Sequence, residues 1–253
     1  MESFTLTRKD MARLLLALNG DNGGNPLQVL QCAWMRNHQG DADNRKAAPA
    51  FLSAALPPVV EKLIKGTRVK GFSLQEIAAL GRLIEYSSLS ITAMQNWVKR
   101  DFKEYFDSPK VGKKYSINQA ALLFIIDDLK GNLDFESIRK LFCIVFNKPE
   151  DESDDLICPV SLYEAYSALF EKLDANNDQL MDTAGFVSDS RKQDFVTENV
   201  VLAAADQCAA KLPELTAKQR EAVRNFLFIA AISIQTAYFH SVSRRYFNAT
   251  MFL

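Results

Sequence analysis

Thr92, Gln95, Asn96, Lys99 and Arg100 crowd one short stretch, and the side chains of Gln, Asn and Arg are those that pair with base edges. Gln and Asn offer a donor beside an acceptor, which suits adenine. Arg offers a fork of donors, which suits guanine. Met94, Trp97 and Val98 lie among them at i, i+3 and i+4. On a helix those three make one apolar face, so the polar residues point largely elsewhere. Further along, Lys110, Lys113 and Lys114 precede Tyr115 in a stretch rich in turn residues, Asp107, Ser108, Pro109 and Gly112. Lysines in a turn can displace counterions from phosphates without reading sequence.

Other groups of residues carry less. Asp174, Asn176, Asp178 and Asp182 occupy ligand-like positions of a calcium loop. Gln179 stands where the turn glycine is needed, however, and Gly185 where the bidentate glutamate is needed. A loop between helices is expected there. His38 and His240 are far apart in the chain, and no GxSxG, HExxH or Walker sequence occurs. Gly20, Gly23 and Gly24 follow a helical pattern and lack the GK[ST] of a phosphate loop. Cys32, Cys143, Cys158 and Cys208 form no CxxC pair, which predicts reduced, mostly buried thiols. The expectation is therefore no enzyme, no metal and no cofactor.

Charge is segregated. The 253 residues hold 30 basic and 31 acidic side chains, for a net charge of −1. From Glu61 to Tyr115 there are 11 basic and 6 acidic residues, whereas Glu150 to Val200 holds 3 basic and 13 acidic ones. The first segment attracts an anion and the second repels it. The N-terminus carries Arg8, Lys9, Asp10 and Arg13 before any long apolar run, so no signal peptide is expected. The apolar run Phe226 to Phe239 is shorter than the ~20 residues of a membrane span, so no membrane is expected and the cytoplasm is the expected location.

The elements that must position these residues read as helices throughout. Met11, Leu14, Leu15 and Leu18 recur at helical spacing, and NGDNGGNP stops them. A second helix is predicted from Leu27 to about Asn37, and a third through Val60, Leu63 and Ile64. Ser73 can cap a helix through Leu74, Ile77, Ala78 and Ile84, and Ser90 can cap another from Ile91 to about Arg100. Ser116 and Asp134 can cap two further apolar helices. Beyond the acidic run EDESDD come a stripe of Tyr163, Tyr166, Leu169, Phe170 and Leu173, an alanine-rich stretch, and a last helix. Thr216 and Gln219 have capping-box spacing and open that helix, the longest one.

A capped helix, a tight turn, a second short helix and a basic turn, followed by two apolar helices, suit a helix-turn-helix with a wing. Here SLSITAMQNWVKRDF, followed by GKKYSINQAALLFIIDDLKGNLDFESIRKLF, resembles the MerR-type winged helix. More closely it resembles a bacterial family with a MerR-like helix-turn-helix, known mainly as an uncharacterised domain. The shared features are Trp97-Val98-Lys99, Lys113-Lys114-Tyr115-Ser116 and Phe135-Glu136-Ser137-Ile138, within about Gly71 to Asn147. Gln95 and Asn96 stand where MerR-type proteins carry an arginine and a tyrosine, and Lys113 where they carry an arginine.

The resemblance implies a regulator of transcription that binds double-stranded DNA as a homodimer and answers to a small-molecule or protein effector. Thr92, Gln95, Asn96, Lys99 and Arg100 would then read the major groove, with Lys110, Lys113, Lys114 and Tyr115 on phosphates. The alternative is a protein-interaction module on a winged helix, since Asp101, Glu104 and Asp107 place carboxylates beside that face. The predicted fold is all-α. It has a helical extension at 1–66, a MerR-like winged helix-turn-helix at 67–149, and a C-terminal helical block for dimerisation or effector binding at 156–253.

Overall fold

The computed structural model describes residues 4–20, 24–37, 56–65, 69–106, 112, 114–149, 151–174, 176, 180–182, 196–212 and 215–251. These residues are all-α. Their strand-like pairings are two isolated bridges, Leu6 with Ile84 and Phe72 with Tyr115. By its contacts the chain divides into two compact units. One takes Met1–Phe124 with Pro159–Glu164, and the other Ile125–Cys158 with Ala165–Leu253.

The first unit opens with α1 (Arg8–Asn19), α2 (Pro26–Asn37) and α3 (Pro58–Ile64). Thr7 starts α1 with a capping box: its hydroxyl accepts from the Asp10 N–H, and the Asp10 carboxylate accepts from the Thr7 N–H. Gly20 ends it in the left-handed conformation, where a side chain would be strained. Met11, Leu14 and Leu15 are fully buried, as their helical spacing requires. Asp10 is buried too, and Arg36 of α2 answers its charge.

Next come α4 (Leu74–Gly81) and α5 (Ile91–Asn96), whose backbone continues as a π-helical turn, Trp97–Asp101, and then α6 (Lys103–Phe106). Ile84 was expected inside α4, but the helix ends at Gly81. Residues 82–86 turn instead, because the N-terminal segment captures them. Leu6 N–H donates to the Leu83 carbonyl at 2.6 Å and Glu85 N–H to the Leu6 carbonyl at 3.0 Å. Arg8 adds a hydrogen bond to the Glu85 carbonyl at 3.0 Å. Leu6 and Ile84 are buried by that pairing.

Helix α7 (Ile117–Leu129) begins in the first unit. Ser116 and Gln119 close its capping box, and its residues from Ala120 to Ile126 are all buried.

The second unit holds α8 (Phe135–Val145), most of α9 (Pro159–Leu173), α10 (Val196–Ala209) and α11 (Ala217–Met251). Asp134 caps α8, and Thr216 and Gln219 close the box that opens α11. Val223, Phe226, Leu227, Ala230, Ala231 and Ile234 bury one stripe of α11, with Phe226 stacked on Phe142 of α8 at 6.4 Å. Asn132 donates to the Ser233 hydroxyl, which donates in turn to the Ile229 carbonyl. The Tyr166 hydroxyl donates to the buried Asp128 carboxylate at 2.8 Å.

Helix α11 is longer than its apolar run, at 35 residues. Among the described residues it is the helix long and apolar enough, by length and composition, to cross a membrane, and 33% of its most apolar window is buried. Its last turns are exposed.

Candidate nucleic-acid interface

The candidate surface rests on α4, the turn after it, and α5. Ser73 caps α4, and its partner in the capping box is Glu76. The Ser90 hydroxyl caps α5 by accepting from the Ala93 N–H at 3.2 Å. The two helices approach closely through Gly81, whose bare Cα lets Leu89 lie against it. Tyr86, with φ +59°, takes the left-handed turn between them.

Helix α5 presents its residues as the apolar spacing requires. Met94, Trp97 and Val98 are buried, while Thr92, Gln95, Asn96, Lys99 and Arg100 are exposed. The helix does not stay regular, however. Phe102 N–H donates to the Trp97 carbonyl at 2.8 Å, a five-residue step, so the backbone widens at Trp97–Asp101. The widening shifts Lys99 and Arg100 relative to Gln95 and Asn96 compared with a regular helix. Sequence pattern holds no signal for it, since the apolar residues satisfy either geometry.

Arg100 is not an isolated cation. Its guanidinium lies on the Asp101 carboxylate, with Nε at 2.8 Å from Oδ1 and Nη2 at 3.4 Å from Oδ2. The arginine side chain is 74% exposed and the aspartate 13%. Lys103 and Glu104 follow on the same exposed stretch. Asp107, Lys110 and Lys113 lie outside the described residues.

Of the basic turn, Lys114 and Tyr115 are placed. Phe72 and Tyr115 exchange two backbone hydrogen bonds, 2.9 and 2.8 Å, which tie the root of the turn to the residue before the α4 cap. The Tyr115 ring meets Phe106 edge-on at 6.1 Å and is half-buried, which pushes its phenol pKa up. Tyr115 therefore serves packing with its ring.

Lys114 Nζ sits 3.1 Å from Glu76 Oε2, and Lys62 Nζ of α3 sits 3.2 Å from Oε1. Burial works against the Glu76 charge. The Ser73 N–H, Lys114 and Lys62 outweigh it and hold the carboxyl at about 2. Glu76 is the residue that sequence reading missed. The SxxE spacing at Ser73 signalled a cap but not the two lysines, which arrive from distant parts of the chain.

Among the described residues no group of His, Cys, Asp and Glu is arranged to hold a metal ion. Asp174 is buried at the end of α9, and Asp182 N–H donates to the Leu173 carbonyl. His240 is exposed on α11, and His38 lies outside the described residues. The cysteines are not buried as expected: Cys32 and Cys143 are exposed, and Cys158 and Cys208 are half-buried.

A domain of unknown function, DUF1836, matches residues 69–168, a span that holds α4, α5 and the basic turn. The chain is also similar to "Uncharacterized protein YkrK" of Bacillus subtilis (strain 168), with 36% identity over 246 residues, 97% of this chain and 97% of the relative. No solved structure matches the chain. The similarity to the Bacillus protein thus runs through the N-terminal helices and α11 as well as the central domain, and the chain belongs to the same bacterial family as that protein.

Proposed function

We propose that this protein is a DNA-binding regulator of transcription, built on a MerR-like winged helix-turn-helix and acting as a homodimer. The observation that carries the reading is the split of α5. With its π-helical continuation it buries Met94, Trp97 and Val98 and leaves Thr92, Gln95, Asn96, Lys99 and Arg100 exposed, on a capped helical stretch that follows the connection 82–90. In this reading the α5 face enters the major groove. Gln95 and Asn96 pair with base edges, and Arg100 exchanges Asp101 for a guanine edge or a phosphate. Lys99, Lys110 and Lys113 neutralise phosphates. The reading needs no cofactor and places the protein in the cytoplasm with the chromosome.

A selection from random duplex DNA at two salt concentrations tests this. The expected result is an enriched inverted repeat, with a salt slope of ~0.9 per phosphate contact. Failure to enrich any motif would sink sequence-specific binding.

A second reading, a protein-interaction module on the same fold, is favoured by one observation. Arg100 and Lys114 are each engaged by a carboxylate of this chain, Asp101 and Glu76. Weak, sequence-blind binding in the same selection would support it.

A further inference from the structure

Three segments that are distant in sequence meet at the Glu76 carboxylate. Its Oε2 accepts from the Ser73 N–H at 2.8 Å and from Lys114 Nζ at 3.1 Å, and its Oε1 accepts from Lys62 Nζ at 3.2 Å. Ser73 belongs to the cap of α4, Lys62 to α3, and Lys114 to the root of the basic turn. The carboxylate side chain is only 22% exposed, whereas Lys62 and Lys114 are 36% and 38% exposed. The acid is thus the inner, fixed member and the lysines lean in to it.

A cap alone does not call for this charge. A capping box accepts glutamine as well as glutamate at its third position. This chain uses Gln119 with Ser116 and Gln219 with Thr216 in that way. At position 76 the charge has a second task, because two ammonium groups need an anion and the amide of glutamine is none.

We infer that Glu76 is a positioning residue, which registers Lys114 and Tyr115 at the root of the basic turn against the first helix of the helix-turn-helix. Phe72 precedes the α4 cap and carries the backbone bridge to Tyr115. Among the described residues the bridge is a single residue pair. The Glu76–Lys114 pair is a second tie between the same two segments, and Lys62 extends it to α3. Lys114 is then spent on this tie, and its contribution to DNA binding is to place the turn. That consequence rests on the function proposed above; the tie itself does not.

Glu76→Gln tests the inference, because it keeps the cap and removes only the charge. Hydrogen exchange is the first readout. The Phe72 and Tyr115 amides are expected to exchange about tenfold faster, while the Met94 amide in α5 keeps its rate. Unchanged exchange at Phe72 and Tyr115 would overturn the inference. So would equal acceleration at Met94, which would mean general destabilisation. In a Lys114→Gln background, Glu76→Gln is expected to add little to the exchange of Tyr115. A full additional effect there would also overturn it, since the tie would not run through Lys114.

Duplex affinity is the second readout. Glu76→Gln is expected to weaken binding several-fold for every sequence, with the enriched motif and the salt slope unchanged. Tighter binding with a steeper slope would show that Glu76 merely masks two lysines, and would overturn the positioning role. Accelerated exchange in a protein whose wild type binds no duplex would leave the tie intact and refute the DNA reading alone.

Discussion

Gly81 and Leu89 touch so closely that a Cβ built on the glycine would stand 2.6 Å from Leu89 Cδ2, inside any real contact. The last residue of α4 is thereby packed on the residue that leads into the Ser90 cap of α5. The turn from one helix to the next has no room for a side chain at that point. Gly81→Ala is expected to destabilise the protein by about 1–3 kcal/mol, the usual range for overpacking a tight site. Thermal unfolding measures it. Combining Gly81→Ala with Leu89→Ala should cost less than the two single changes together, because the smaller residue makes the space that the new methyl needs. Strict additivity would show that the two residues do not constrain each other.

Acid should loosen the same module in a defined window. The Glu76 carboxyl is held at about 2, against 4.5 for a free glutamate, by the Ser73 N–H and the two lysines acting against its burial. Its folded value lies below its unfolded value, so the unfolded chain takes up the proton first as pH falls. The stability that Glu76 contributes is then complete above pH ~4.5 and disappears by pH ~2. Urea unfolding of wild type and Glu76→Gln should differ at neutral pH and converge across that window. A difference that persists at pH ~2 would assign the effect of the substitution to something other than the charge.

Much of this arrangement is legible in the sequence, because it is written in local pattern. Ser73, Ser90, Ser116, Asp134 and the Thr216–Gln219 pair all cap the helices that their spacing announces. Met94, Trp97 and Val98 are buried as their spacing predicts. What escapes the sequence depends on partners far away in the chain. Leu6 ends α4 early by pairing with residues 83–85, across nearly eighty positions that no local pattern joins. Lys62 and Lys114 read as surface lysines until Glu76 is seen between them. The widened turn at Trp97–Asp101 is invisible for a different reason, since an apolar pair at 97 and 98 packs equally in either backbone.

The Arg100–Asp101 pair makes a prediction opposite in sign to most substitutions. With the arginine 74% exposed, the pair is worth little to stability. Asp101→Asn should therefore leave thermal unfolding nearly unchanged. In duplex binding it removes a repelling charge and releases a guanidinium, so affinity should rise and the salt slope steepen by up to ~0.9. Asn96→Ala on the same helix should instead relax base preference, by about 1–3 kcal/mol at the base it reads. If Asp101→Asn leaves binding unchanged while Asn96→Ala leaves the motif intact, the α5 face is not the reading surface.

The exposed end of α11 bears on the proposed homodimer. Phe239, Tyr246, Phe247 and Met251 are all at least half exposed on its last turns, with Tyr246 at 69% and Phe247 at 62%. Single exposed apolar residues are ordinary, but four on one helix end form a surface that water solvates poorly. Tyr246 and Phe247 lie outside the core of their own chain. The variant Tyr246→Glu/Phe247→Glu is therefore expected to unfold at the wild-type temperature. If the homodimer is held through this surface, the same variant should sediment as a monomer where the wild type sediments as a dimer. Its affinity for an inverted repeat should then fall steeply while its affinity for a half-site stays. The steep fall follows from effective concentration: a dimer presents its second reading helix to the second half-site, and a monomer does not. A wild type that is already monomeric would remove the homodimer from the proposed function, and a variant that still sediments as a dimer would place the pairing surface elsewhere.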